Sequence, residues 1–250
     1  MNKRTILLNF SNKLYRKAQI LQNLSAKLFC NFTSIVSYKS VKDLGNDFFN
    51  KYFNYFNYSR GYGLWIWKPY IFLRELKKLN EGDILMYVDS GACFIRNPKS
   101  MLEETNTEYI WVSQNTYSER MYTKASLFKC LKVEGDKFEN TFQIQGGIII
   151  AKKSDRVLAF FEEWLNLCTL DNLKPTENAK DGLYEDFVAH REDQSVLSLL
   201  CKKHEVIPHE SPFQIENNTH KAILLLHHSN ANIIKILKKL VYLKLSNKSS

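Results

Sequence analysis

Short apolar runs, separated by stretches of helical period, constrain this chain more than any other feature. Thr5–Phe10 (TILLNF), Asp83–Val88 (DILMYV), Tyr109–Val112 (YIWV) and Gly146–Ala151 (GGIIIA) are too short for buried helices. Their branched and aromatic residues suit buried strands. Between them, Lys13–Phe29 has Leu14, Ala18, Leu21, Leu24 and Leu28 at the spacing of one helical face. Trp67–Leu79 reads as a helix opened by Lys68-Pro69, because proline is tolerated in a first turn. Asp155–Leu167 repeats the helical pattern with Val157, Phe160, Phe161, Trp164 and Leu165, and Glu192–Lys203 reads as a further helix. His204–Pro208 and Ile223–Leu226 complete the set as short strands. Alternation of this kind predicts an α/β fold, with a mostly parallel central sheet and helices on both faces. At 250 residues, without repeats or a Pro/Gly-rich linker, one domain over residues 1–231 is expected, followed by a basic helix or tail at 232–250.

The formal charge of +9 invites a nucleic-acid reading, but its distribution argues against one. Residues 1–42 carry eight Lys/Arg and residues 217–250 carry six, with no acid in either segment. The middle holds 21 bases against 26 acids, so no broad positive field covers the body of the chain, and no nucleic-acid partner is expected. The last helix places Ile233, Ile236, Leu237, Leu240 and Val241 on one stripe flanked by Lys235, Lys238 and Lys239. Such a helix can lie on anionic lipid, or dock on the domain with its lysines in solvent. Five cysteines without a C-x-x-C pair suit buried thiols in a reducing compartment. With no signal peptide and no run near the ~18 apolar residues of a membrane span, a cytoplasmic protein is expected, peripheral on the inner face of the plasma membrane if the last helix meets lipid.

Ligands in open α/β sheets sit beyond the carboxyl ends of the strands. Asp89 ends the DILMYV run there, and Gly91 lets a ligand approach the backbone. An Asp in this position can also cap the following turn. Upstream, twelve of the 25 residues from Phe48 to Phe72 are aromatic, which is mostly core material. Arg60-Gly61-Tyr62-Gly63-Leu64-Trp65-Ile66-Trp67-Lys68-Pro69-Tyr70 is different, because its glycines and cations pack poorly into a core. Aromatic faces stack on bases and sugar rings, while Arg60 and Lys68 can make charge-assisted bonds to phosphate. No P-loop, G-x-G-x-x-G or G-x-S-x-G motif occurs.

The order W-I-W-K-P-Y (65–70), a helix, then G-D-I-L-M-Y-V-D-S-G-A (82–92) resembles bacterial GT-A-fold glycosyltransferases of surface polysaccharide synthesis. The layout is similar to glycosyltransferase family 8 and to capsule and lipopolysaccharide enzymes. Gln143–Ile150 resembles the family's N-S-G segment, where an amide meets the sugar. His190–Leu197 resembles its D-Q-x-x-L helix, and Leu226-His227-His228 sits where relatives place a metal-binding His.

The resemblance, over residues 58–228, implies a single GT-A-like (Rossmann-like) domain. It implies transfer of a hexosyl unit from a nucleotide diphosphate sugar, a UDP-sugar first, to a saccharide or lipid-linked acceptor, and suggests retention of configuration, although no nucleophile is identifiable. By position, Arg60 and Trp65 would bind the nucleotide and Lys68 would face the phosphates. Asp89 would orient a metal or the ribose, beside Gly91. Gln145, Gly146 and Gly147 would line the sugar pocket, with Asp193 and Gln194 beside the anomeric carbon. The family's Asp-x-Asp would place an acid at 91, where this chain has Gly91. Mn²⁺ or Mg²⁺ would then rest on Asp89, His227 and the donor phosphates; alternatively Arg60 or Lys68 neutralises the diphosphate. A second reading is a non-catalytic GT-A-like module that holds a sugar nucleotide or a partner.

Overall fold

The computed structural model describes residues 3–175, 184–213, 223–225 and 238. In chain order the main elements are β1 (Thr5–Phe10), α1 (Arg16–Phe29), β2 (Ser34–Tyr38), α2 (Trp67–Leu76), β3 (Ile84–Val88) and β4 (Ala92–Phe94). They continue with α3 (Lys99–Glu108), β5 (Ile110–Ser118), β6 (Phe142–Lys152), α4 (Asp155–Leu167), α5 (Glu192–Lys203), β7 (Pro208–His209) and β8 (Ile223–Leu225). Six strands form one sheet in the order β2-β1-β3-β6-β5-β7, and β4 pairs with β8 beside it. Three of the five pairings in the large sheet are parallel, but β6 runs antiparallel to both β3 and β5.

Strand side chains alternate between two cores. Leu8, Leu85, Tyr87 and Ile149 meet α2, α4 and α5 through Phe72, Phe161 and Leu197. Leu7, Met86, Val88 and Ile150 meet α1 and α3 through Ala26 and Met101. The apolar runs of β1, β3, β5 and β6 are therefore buried on both sides, which is why they read as near-continuously apolar. Phe72 stacks on Phe161 at 4.2 Å, joining α2 to α4. Buried Glu119 ties β6 to α5: it accepts from Gln143 Nε2 (3.1 Å) and Lys202 Nζ (2.6 Å), and from the Ser198 hydroxyl.

Several elements differ from the expectation. β5 and β6 are longer than their apolar runs, and Gly146-Gly147 lie inside β6 instead of at its start. The return strand forms only at Pro208–His209. Cys93, Cys168 and Cys201 are buried, but Cys130 is exposed. The expected helix at 232–250 lies outside the described residues except for Lys238. No helix among the described residues is long and apolar enough to cross a membrane.

The largest departure is α1. It starts at Arg16 and buries Gln19, Gln22 and Ser25 together with Ala18, Leu21 and Ala26. Leu14, Leu24 and Leu28, expected in the core, are 59%, 41% and 39% exposed. The buried amides replace water at the strand ends. Gln19 Nε2 donates to Asn9 Oδ1 and to Tyr38 O, both at 2.8 Å, and Gln22 Nε2 donates to Asp89 O at 2.8 Å. Gln22→Leu keeps the volume but removes one hydrogen bond to the Asp89 carbonyl and one from the Asn9 amide, leaving them Ala92 N and Asn23 Oδ1. A loss of about 1–3 kcal/mol is expected, read as a lower midpoint in urea with an unchanged slope.

Candidate functional site

Antiparallel β6 brings the sequence blocks together. A parallel strand would start at the opposite edge of the sheet from the end of β3. With β6 reversed, Val88 pairs with Ile148, and Asp89 N donates to Gly147 O at 2.9 Å. A Cβ on Gly147 would lie 3.2 Å from Asp89 Oδ2, so the glycine leaves room for that carboxylate.

Beneath this junction lies Lys68, from the first turn of α2 and only 4% exposed. Its Nζ donates to Gly146 O at 3.1 Å, and sits 3.3 Å from Asp193 Oδ2 and 3.7 Å from Asp89 Oδ1. Asp193 is 3% exposed, and its Oδ2 makes no hydrogen bond, so the ammonium meets it as a charge. Burial pushes the Asp193 carboxyl up to about 7 against the pull of Lys68, and Asp89 adds to the rise. Burial alone would lower Lys68, but the Asp193 and Asp89 carboxylates outweigh it and raise its pKa. The Tyr87 hydroxyl donates to Asp89 Oδ1 at 2.6 Å. Burial, with Asp89 beside it, holds that phenol well above its usual value, so it stays a donor at neutral pH.

The amides form a second layer. Gln194 Oε1 accepts from Gly146 N at 3.0 Å, and its Nε2 donates to Gln143 Oε1 at 2.7 Å. Gln145 Oε1 accepts from Ser113 Oγ and Ser211 Oγ, both at 3.0 Å. Every partner is itself buried or part of the sheet, so the two glutamines are held in single orientations.

The segment before α2 winds as one left-handed turn. Gly61, Tyr62, Gly63, Leu64 and Trp65 have φ of 60, 56, 86, 57 and 58°. Leu64 N donates to Arg60 O at 2.9 Å and Trp65 N to Gly61 O at 3.2 Å. Three of the five residues carry a side chain at positive φ, a strained arrangement that surrounding contacts must maintain. Trp67 Nε1 donates to Gly61 O at 2.9 Å and its ring stacks on Phe10 at 3.9 Å. Arg60 bonds the buried Glu192 carboxylate, fastening the turn to the start of α5, and its guanidinium lies 5.6 Å from the Trp65 ring. Gly61 admits no other residue, since a Cβ would fall 2.1 Å from Trp65 Cε3.

These elements enclose a cleft of about 1000 Å³ beyond the ends of β1 and β3. Trp65, Asp89, Gly91, Gln145, Gly147 and Gln194 line it. Arg60, Lys68, Gly146 and Asp193 do not. Arg60 is spent on Glu192, while Lys68 and Asp193 neutralise each other behind the wall, because an isolated charge there would lack solvation. His227 lies outside the described residues. Residues given no individual role from the sequence also line the cleft: Phe10, Tyr62, Trp67, Tyr87, Tyr117 and Arg191 among them. Tyr87 was legible, standing two residues before Asp89 on the same strand. Arg191, over the Tyr122 ring at 4.6 Å, is the one base among the described lining residues, as Asp89 is the one acid.

That inventory bears on a metal. No group of three His, Cys, Asp or Glu side chains able to hold one occurs among the described residues. Asp89 Oδ1 already accepts from Tyr87 and faces the Lys68 ammonium, a cation that disfavours a second one. The described residues do not by themselves fit a divalent ion.

No protein-family model matches the sequence, and no curated protein matches it. Among solved structures the chain is similar to mouse xyloside xylosyltransferase 1 in its apo form, at 12% identity and a TM-score of 0.45, covering 84% of this chain and 85% of that one. It is similar to the apo WbbM bifunctional glycosyltransferase at 12% identity and a TM-score of 0.48, covering 80% and 38%. It is also similar to the glycosyltransferase GlyE of Streptococcus pneumoniae TIGR4 at 12% identity and a TM-score of 0.39, covering 80% and 43%. The chain therefore spans less than half of the WbbM and GlyE chains.

Proposed function

We propose that this chain is a glycosyltransferase that moves a hexosyl unit from a nucleotide diphosphate sugar, a UDP-sugar first, to a saccharide or lipid-linked acceptor in surface polysaccharide synthesis. The observation that carries this reading is the cleft at the strand ends, whose described residues supply one carboxylate, one guanidinium, fixed amides and a wall of aromatic rings. Its volume is at the upper end of small-molecule sites, which suits a large polar donor. Trp65 and Tyr62 offer faces to the base. Arg191 offers a fork to the diphosphate, and the Gly147 backbone permits close approach. Gln145, Gln194 and Asp89 surround the space left for the sugar. Catalysis then rests on charge held ready for the departing diphosphate and for a cationic sugar, in place of water that would have to reorganise.

Lys68 and Asp193 act through others in this scheme. They fix Asp89, Gly146 and Gln194 and touch no reactant. A Mn²⁺ or Mg²⁺ ion at Asp89 would need His227 and the donor phosphates to complete its shell, and is tested as a separate arm. In the cell we place the enzyme in the cytoplasm, with residues 232–250 as a basic contact to the anionic inner face of the plasma membrane.

A thermal-shift panel of UDP-, GDP-, CMP- and dTDP-sugars, with and without Mn²⁺, tests class, base and metal together. A donor present at 100 times its Kd stabilises by about 2.7 kcal/mol, or roughly 5–10 °C for a chain of this size. No rise with any nucleotide sugar overturns the proposal. The alternative of a non-catalytic module, suggested by Gly91 where an acid would complete the motif, predicts a shift without release of nucleoside diphosphate.

A further inference from the structure

Helix α1 carries apolar side chains on both faces. Its inner face joins Gln19, Gln22 and Ser25 to Ala18, Leu21 and Ala26, while Ile20 and Leu24, one turn apart on the outer face, are 53% and 41% exposed. Surface helices of soluble domains keep the outer face polar. Lys17 and Lys27 flank the two apolar residues on the outer face and are exposed. At the amino end, Leu14 and Tyr15 are 59% and 40% exposed and form part of the mouth of the main cleft.

Beside that mouth lies a second pocket of about 260 Å³, lined by Asn12, Lys13, Arg16, Lys39, Ser40 and Tyr62. Three of its six described lining residues are cations, and no acid is among them. Asn12 and Tyr62 belong to both pockets, so the two open side by side. The nearest acid in the sequence, Asp43, is committed to the Lys39 and Ser40 backbone amides at 2.6 and 3.2 Å.

We propose that this face docks on an anionic phospholipid bilayer, with Ile20 and Leu24 in the interface and a lipid phosphate in the Lys13–Arg16–Lys39 pocket. Charge complementarity identifies the occupant, because Lys13, Arg16 and Lys39 at the pocket and exposed Lys17 and Lys27 beside the apolar pair match a negative surface. The exposed apolar residues between them supply the insertion that charge alone does not. Docked this way, the mouth of the cleft faces the lipid at Leu14 and Tyr15, where the head of a lipid-linked acceptor would arrive. That last step rests on the proposed transferase reading; the bilayer contact does not.

The test is co-sedimentation of the full chain with vesicles of phosphatidylcholine, alone or with about one third phosphatidylglycerol. Binding to the anionic vesicles only is expected. Ile20→Ser/Leu24→Ser and Lys13→Glu/Lys39→Glu should each lower partition about tenfold or more, with melting temperature and nucleotide-sugar binding unchanged. Lys235→Glu/Lys239→Glu in the last segment serves as the comparator. Unchanged partition in both the Ile20/Leu24 and the Lys13/Lys39 double variants overturns the proposal, as does loss confined to the comparator. Light scattering that shows a wild-type dimer dissociated by Ile20→Ser/Leu24→Ser assigns the face to a second copy and overturns it too. Stabilisation by inorganic phosphate through Lys13 and Lys39, with no vesicle binding, assigns the pocket to a free anion. Donor binding and turnover are measured apart from vesicles, so failure here leaves the transferase proposal standing, and the reverse holds.

Discussion

Asp89→Asn is expected to lower sugar transfer, or donor hydrolysis without acceptor, by about 100- to 1000-fold, the cost of removing one preorganised electrostatic group. The substitution isolates charge from shape. Asparagine has the same outline, its side-chain oxygen can still accept from the Tyr87 hydroxyl, and the Asp89 N to Gly147 O bond does not involve the side chain. What disappears is the single negative charge on the described cleft wall, and with it one of the two carboxylates that face Lys68. The side chain is 46% exposed, so stability should move little. Steady-state turnover with the donor found in the thermal panel reads the effect, with melting temperature as the control. Undiminished turnover in a folded variant removes Asp89 from the chemistry.

Lys68→Met is expected to produce the largest loss of stability. The lysine is buried, and its removal strands the Asp193 carboxylate in the interior. Breaking a buried pair in this way costs about 3–5 kcal/mol, or roughly 10 °C in Tm. The cost should depend on pH, with a sign that follows from Asp193. In the folded wild type its pKa is raised from 3.8 to about 7, so the folded state binds that proton more tightly than the unfolded state. Its contribution is therefore greatest at low pH and is lost as pH rises from about 4 to about 7.

Without Lys68 the carboxyl rises further, and the loss continues above pH 7. The gap between variant and wild type is then smaller at pH 5 than at pH 8. Lys68→Met/Asp193→Asn should recover much of the difference, because no charge remains to be stranded. Urea unfolding of wild type, Lys68→Met and the double variant at both pH values measures this. A Lys68→Met protein as stable as wild type at pH 8 contradicts the buried-pair account.

Much of the fold was legible because burial on both faces leaves a simple trace. TILLNF, DILMYV, YIWV and GGIIIA are mostly apolar, since these runs sit between two cores, and all four became strands of one sheet. Asp89 was legible as the polar residue that ends such a run. The inner face of α1 was not, because an apolar stripe at helical spacing says nothing about which side meets the protein. The strand ends offered the Tyr38 and Asp89 carbonyls and the Asn9 amide, and Gln19 and Gln22 add hydrogen bonds to all three. That demand outweighed the burial of Leu24.

The sequence by itself determined the alternation of strands and helices and the position of Asp89 at the end of an apolar run. It also determined the unequal spread of charge between the ends and the middle. Only the tertiary structure decided the direction of β6, and with it the meeting of Asp89 with Gly147 and Gln194. It also decided that Lys68 and Asp193 lie behind the wall as each other's counter-ions, while Arg191 enters the cleft. The physical reason is one of range. Propensity and periodicity act within a few residues, whereas pairing direction and the solvation of a buried charge depend on groups such as Lys68 and Asp193, more than a hundred residues apart.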